Sequence, residues 1–477
     1  MLFNSFEYAV FLPLVFGIYW LIGSKKLKLQ NLLILGASYT FYGFWDWRFV
    51  ILIFLSSIVD YYTAILISQS SSAKYKKLYL LFSLVWNLGV LFTFKYYDFF
   101  VQSFLQTFNL TGANNFALSF EIILPVGLSF YTFQTISYTI DVYKNKIKPT
   151  NHLLEFLCYV SFFPQLVAGP IERTSFLLPQ FFKKRQFSLK RGKEGLRQIL
   201  WGLFKKIVVA DNLALAVDTF FAKPSDFQSW ELFYGLVLFY FQIYADFSGY
   251  TDIALGSAKL FGFKLHVNFN LPHFARGIPD FWRRWNITLS QWFRDYVHIP
   301  FLQNRKKTPY NRYVALILTF GLIGLWHGAE WTFILFGLIH ALYMILYQIY
   351  YKRIGTIKTN KLIPGILINM GAIGLSFTLL VLSIVFFRAP NYEVAFTILE
   401  RIFRFIPDHN FESIIKLNIG FLFLMLLMEI FSQKKEYPFE DLEKLIPRLV
   451  RWCIYYIFVY LIIRYGGPKE SFIYFQF

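Results

Sequence analysis

The chain has 477 residues, 56% hydrophobic and 22% aromatic, with 59 phenylalanines and a formal net charge of +19. Such a composition excludes an ordinary soluble domain and points to a chain that crosses a membrane many times. The positive charge would suggest nucleic acid on a soluble protein. Here it sits in the loops between apolar runs and reads as topology and contact with membrane lipid, with no nucleic acid.

A helix that spans a bilayer needs about 20 apolar residues. Runs near that length lie at 6–22, 29–44, 49–67, 78–94, 122–140, 196–221, 232–261, 366–387, 417–430 and 453–463. A further pair, 314–325 and 332–350, flanks one polar heptapeptide. Residues 1–21 lack a basic start and a small-residue cleavage site, so they are expected to be a retained first helix. The segment 153–168 is apolar but broken by Pro164 and followed by Gly169-Pro170, which predicts a re-entrant piece. The fold class expected is all-α: a polytopic integral membrane protein, with 1–477 as a single membrane-embedded domain and 471–477 as an aromatic tail. No internal repeat and no soluble domain are visible.

Lysine and arginine set the orientation. The basic stretches 25–28, 74–77, 144–148, 183–197, 305–312, 352–361 and 434–451 are assigned to the cytoplasm. The stretches 109–121, 224–231 and 389–393 are assigned outside, and 391–418 to an outer surface helix and loop. Both termini then lie outside. Cys158 and Cys453 fall in apolar segments and are read as small hydrophobes, so no disulfide and no metal site is expected.

Polar residues inside apolar surroundings single out the candidate chemistry. Leu325-Trp326-His327-Gly328-Ala329-Glu330-Trp331 places an imidazole where two apolar runs meet. An ionisable group at membrane depth is costly and usually marks a functional path, and histidine is suited to moving a proton near neutral pH. Gly328 would let a backbone or a substrate approach, and Trp326 and Trp331 can wall a pocket. The plainer reading is a core histidine bonded to a carbonyl. In Tyr244-Ala245-Asp246-Phe247-Ser248-Gly249-Tyr250-Thr251-Asp252, the residues Asp246, Ser248 and Asp252 form either a polar rim to a substrate tunnel or a network that joins helices. In Arg276-Gly277-Ile278-Pro279-Asp280-Phe281-Trp282-Arg283-Arg284-Trp285-Asn286, aromatics and arginines alternate too closely for a spanning helix, which predicts an interfacial one. Arg283 and Arg284 either bind a phosphate-bearing donor or reach lipid headgroups. There is no Gly-x-Ser-x-Gly elbow, P-loop, His-Glu-x-x-His or Cys-x-x-Cys, which leaves His327 as the candidate general base.

Taken together, these residues carry a resemblance. Met1-Leu2-Phe3-Asn4-Ser5, Phe163-Pro164-Gln165-Leu166-Val167-Ala168-Gly169-Pro170-Ile171, the stretch 244–253, Asp280-Phe281-Trp282-Arg283-Arg284-Trp285-Asn286 and Leu325-Trp326-His327-Gly328 are similar to the membrane-bound O-acyltransferase family. Within it they resemble the branch of alginate O-acetylation membrane proteins. The resemblance implies a ring of about eleven spanning helices around a thinned centre, with an acyl-CoA reaching it from the cytoplasm. It implies His327 as the catalytic histidine. Asn286 stands where the bacterial branch usually has a second histidine, and there it can orient the donor thioester or stabilise developing charge. Trp282, Arg283, Arg284, Trp285, Asp246, Ser248, Asp252 and Trp326 are the expected donor and tunnel residues.

The implied reaction moves acetyl from acetyl-CoA, a donor substrate rather than a bound cofactor, toward an exported polysaccharide. It takes place in the bacterial inner membrane, with an esterase-like partner outside. Peptidoglycan or teichoic acid are alternative acceptors. A proton-coupled transporter is the rival class, which paired broken helices would betray. The tail Ser471-Phe472-Ile473-Tyr474-Phe475-Gln476-Phe477 resembles the aromatic motif of small peptides that accompany the D-alanyl-transferring relatives. That likeness implies Tyr474 as a transient acyl carrier; on physical grounds alone it would be an interfacial anchor.

Overall fold

The apolar runs fold as helices, some of bilayer length and others shorter or interrupted. The computed structural model describes residues 1–108, 123–167, 169–303, 305–306, 308–354, 362–404, 419–433, 435–467 and 472–475. Regular structure among them is helical throughout. Four helices are long and apolar enough to cross a membrane: Trp47–Gln69, Ala73–Thr107, Trp331–Tyr350 and Leu367–Arg388. Shorter apolar helices include Phe6–Ile22, Leu153–Leu166 and Ile419–Phe431. The stretch 109–121, expected outside, and most of 352–361 and 405–418 are not among the described residues.

The chain divides into two compact units, 1–196 with 254–266, and 197–253 with 267–477. In the first, Ser5 and Asp46 accept the Tyr8 and Arg48 amides and so start the helices Phe6–Ile22 and Trp47–Gln69. The run expected at 122–140 becomes helical only at Leu128, because Gly127 takes a left-handed φ of 74° at its start. A Cβ there would stand 2.5 Å from the Leu166 carbonyl oxygen, so only glycine fits. The interruption at Pro164 is real. Leu153–Ser161 ends, Phe162 turns, and Pro164 sits in the first turn of Phe163–Leu166, where no amide is required. Inside this unit, Asp60 is fully buried among Ser83 and Asn87. Asn87 donates to both carboxylate oxygens at 3.0 and 2.9 Å, and Thr135 donates to the Asn87 carbonyl at 3.2 Å. That cluster joins the helices Trp47–Gln69, Ala73–Leu91 and Leu128–Tyr143.

In the second unit, the run 196–221 is not one regular helix. The helix Leu189–Leu203 opens into a wide π turn, Phe204–Ala210, before Asp211–Ala222. Such turns recur at functional sites. The helix Ser229–Leu260 crosses it in backbone contact: a Cβ on Gly202 would lie 2.5 Å from the Gly249 carbonyl oxygen, and one on Gly249 would lie 2.8 Å from that of Gly202. The polar stretch after it gives the short helix Ile278–Trp282 and then Ile287–Phe293, which continues through a second π turn, Arg294–His298, into Ile299–Gln303. The hairpin Pro309–His327 and Trp331–Ile354 follows, its arms so close that a Cβ on Gly324 or Gly337 would collide with a carbonyl of the other arm.

Candidate active site

His327 is the last residue of the helix Pro309–His327 and is buried. The space beside Gly328 is filled by the Phe333 ring of the same hairpin. Trp326 packs against His327 at 4.9 Å between ring centroids, whereas Trp331 and Glu330 are exposed. The imidazole faces a narrow cleft of about 20 Å³, lined among others by Tyr240, Trp285, Phe336, His340 and Phe387. That is room for about one water molecule.

Tyr474 completes the cleft. The segment after the helix Arg448–Arg464 returns into the unit with Phe472 and Ile473 buried. The Tyr474 ring lies 5.6 Å from His327, 6.0 Å from Trp326, 6.2 Å from Phe387 and 4.6 Å from Phe247. Its hydroxyl is buried and has no hydrogen-bond partner among the described residues. Burial raises the phenol above its ordinary range, and the Asp246 charge raises it further, so the oxygen requires a base before it can act as a nucleophile.

Asn286 adjoins Trp285 and is wholly buried, and neither its amide oxygen nor its nitrogen has a partner among the described residues. Its backbone is left-handed, with φ 41°, just before the helix Ile287–Phe293. Asn268 fixes that turn by accepting from the Ile287 amide at its carbonyl, and from the Thr288 amide and hydroxyl at its side chain. Asparagine is one of the few residues enriched in this conformation. Orphaned buried polar atoms are uncommon in native proteins. Others occur among the described residues, at Tyr131 and Gln165 for example; Tyr474 differs in lining the His327 cleft, and Asn286 follows Trp285, which also lines it.

A second cavity, of about 500 Å³, is lined by Trp282, Arg283, Arg294, His298, Thr319 and Phe320 among others. Trp282 connects it to the cleft. Its indole N–H donates to Nδ1 of His340 at 3.2 Å, and Nε2 of His340 meets Ser383 Oγ at 3.1 Å. Indole nitrogen only donates, so Nδ1 accepts and Nε2 carries the imidazole hydrogen. Arg284 instead pairs with Asp280 at 3.0 Å.

The remaining predicted residues belong to an ion network. Lys205 holds Asp252 at 2.6 Å and Ser248 at 2.9 Å, and Gln198 donates to Asp252 at 2.9 Å. Lys206 holds Asp211 at 2.7 Å and Asp246 at 2.8 Å. Of the two readings open for Ser248 and Asp252, these contacts are those of a helix-joining network.

A family description matches residues 42–384: MBOAT, the membrane-bound O-acyltransferase family. The chain belongs to that family. It is 34% identical over 456 residues to the probable alginate O-acetylase AlgI of Pseudomonas aeruginosa, covering 94% of this chain and 84% of that protein. It is 37% identical over 430 residues to the peptidoglycan O-acetyltransferase of Helicobacter pylori, covering 84% and 79%. A teichoic acid D-alanyltransferase of Bacillus subtilis is 30% identical over 248 residues, 49% of this chain and 61% of that protein. The protein is thus a multi-pass membrane O-acyltransferase.

Sequence reasoning passes over several polar residues of this acyltransferase: Lys205, Lys206, His340 and Glu429. Glu429 accepts from the Tyr244 hydroxyl at 2.9 Å inside the helix Ile419–Phe431. Each is an ionisable group in an apolar run, the same signal that singles out His327.

Proposed function

We propose that this acyltransferase takes acetyl from acetyl-CoA on the cytoplasmic side of the bacterial inner membrane and delivers it, through Tyr474, for O-acetylation of an exported polysaccharide of the alginate type. The AlgI relatives support the acceptor class. The cavity of about 500 Å³ is of ligand size. Arg283, Arg294 and His298 on its wall suit the donor's phosphates, since guanidinium groups pair with phosphate by two parallel hydrogen bonds. Trp282 and Trp285 flank the path from that cavity to the cleft. Both termini lie outside, and an extracytoplasmic transferase receives the acetyl group.

The observation that carries this reading is Tyr474, whose buried hydroxyl, without a partner among the described residues, belongs to a ring 5.6 Å from that of His327. In the first step His327 takes the phenolic proton, and the oxygen attacks the thioester carbonyl. The C–S bond breaks, and the departing thiolate recovers the proton from the imidazolium. Asn286 donates its amide N–H to the developing oxyanion. In the second step an acceptor hydroxyl attacks the tyrosyl ester, and its proton returns to the phenol as the C–O bond breaks. The net result is one acetyl moved and one free thiol.

Purified protein in detergent tests the reading through consumption of the acetyl-CoA thioester. Turnover that rises with added polysaccharide together with its extracytoplasmic transferase is expected. No thioester cleavage with or without acceptor would overturn it. The Helicobacter pylori relative favours a second reading, peptidoglycan as the acceptor. Faster turnover with peptidoglycan fragments than with alginate would establish it.

A further inference from the structure

A buried charge holds the segment that carries Tyr474. The Ile473 amide donates to Asp246 Oδ2 at 2.7 Å, a length typical of a charge-assisted bond. Lys206 stands 2.8 Å from the other oxygen of that carboxylate and 2.7 Å from Asp211. One cation shared by two carboxylates only half compensates Asp246, which makes an N–H donor especially favourable there. The wide turn Phe204–Ala210 creates this arrangement by presenting two consecutive lysines to the helix Ser229–Leu260 on either side of the Gly202–Gly249 crossing.

The approach of the segment is guided too. Asn212 Nδ2 donates to the Tyr465 carbonyl at 2.8 Å, and the Gly467 amide donates to Ile207 at 3.3 Å. The ring of Phe472 then packs on Tyr250 at 4.5 Å and on Phe247 at 5.5 Å.

We propose that the Lys206–Asp246 pair is a docking clamp: Asp246 grips the Ile473 amide and thereby sets Tyr474 beside His327. The clamp is reversible by design of its charges, because Asp246 keeps Lys206 when the segment leaves. Asp246 is a positioning residue that acts through Tyr474 and touches neither donor nor acceptor. The proposal rests on the Tyr474 reading above and adds what holds the carrier in place.

The test uses full-length wild-type protein, Asp246→Ala and Asp246→Asn. Deuterium uptake is followed at the peptide that carries Ile473, together with the rate at which labelled acetyl from acetyl-CoA appears on that peptide. In Asp246→Ala, exchange at Ile473 is expected to be about 10- to 100-fold faster, the loss of one hydrogen bond to a charged group. Labelling slows by a similar factor while the KM for acetyl-CoA stays the same. Asp246→Asn keeps an oxygen acceptor and falls between, with exchange about three- to tenfold faster. Wild-type exchange in Asp246→Ala, or a raised donor KM at unchanged kcat, overturns the clamp. If Asp246→Ala fails to fold, wild-type exchange in Asp246→Asn overturns it instead. If no label reaches Tyr474 even in the wild type, the carrier reading fails, and the exchange measurement alone decides the clamp.

Discussion

Two buried polar regions of this molecule are built on opposite plans. Around Asp60, in the unit formed by 1–196 and 254–266, the carboxylate is met by Ser83 and Asn87, and Asn87 in turn by Thr135. Three helices are fastened there, and each donor has its acceptor. In the other unit, Tyr474 in the cleft of His327, and Asn286 next to the cleft residue Trp285, keep polar atoms that no described residue satisfies, and the walls of the cleft are mostly aromatic. A saturated cluster contributes specificity of packing. An unsaturated one costs stability and is retained where a substrate supplies the missing bonds. Location in the apolar interior is common to both, so burial alone does not separate structure from chemistry.

Substitutions sharpen this contrast by striking activity in one region and stability in the other. The largest effect is expected at His327. His327→Ala should lower acyl transfer by about 10²–10⁴-fold, the contribution of a positioned general base, with little change in thermal midpoint in detergent. Near-normal turnover by a well-folded variant would contradict the assignment. Asn286→Ala should follow, with a loss of about 10²–10³-fold if its amide stabilises the oxyanion. Asn286→His should keep part of the rate, because the left-handed backbone accepts either residue. Full activity in the alanine variant with none in the histidine variant would reduce Asn286 to packing.

Asp60→Ala reverses the pattern. It removes one acceptor from Ser83 and from Asn87, which keep Thr139 Oγ1 at 3.1 Å and the Ser83 carbonyl at 2.9 Å, and should cost about 1–3 kcal/mol of stability in all. The molecules that remain folded should turn over at the wild-type rate. A changed kcat at normal stability would erase the distinction between the regions.

The smallest effect concerns pH. His266 Nδ1 lies 2.7 Å from Glu172, and this hydrogen bond raises its pKa above the ordinary 6.5, against burial and the nearby Lys264 and Arg173 charges. A raised folded pKa means the stabilisation is fully present below about pH 6.5 and is lost as pH rises through the higher folded value. The ring is half-exposed, so the effect is that of a screened pair, at most about 1 kcal/mol. Thermal midpoints of wild type and His266→Gln should therefore converge as pH rises from 6 to 9. A gap that widens with pH would contradict the sign.

Much of this contrast is legible in the sequence, and its gaps have physical causes. Helix positions follow from apolar runs, and His327 declares itself as an ionisable ring between two of them. Lys205 and Lys206 carry the same signal, but regular helical spacing does not aim consecutive residues at Asp252 and Asp246, six positions apart. The wide turn that allows it leaves no local pattern. The late start of the helix at Leu128 depends on the Leu166 carbonyl against Gly127, a contact between distant segments. For the same reason no periodicity places Tyr474: its position comes from Asp246, Phe247 and Trp326, all distant in the chain.

The central claim is that acetyl passes through Tyr474 in the cleft of His327. Its most direct test is to incubate purified full-length protein with labelled acetyl-CoA, quench, digest and locate the label, with Tyr474→Phe alongside. That substitution removes only a hydroxyl without a partner among the described residues, so its thermal midpoint should match the wild type. The account predicts label on the peptide carrying Tyr474, its disappearance in Tyr474→Phe, and loss of polysaccharide acetylation in the same variant. Acetylation of the polysaccharide by Tyr474→Phe at the wild-type rate would contradict it.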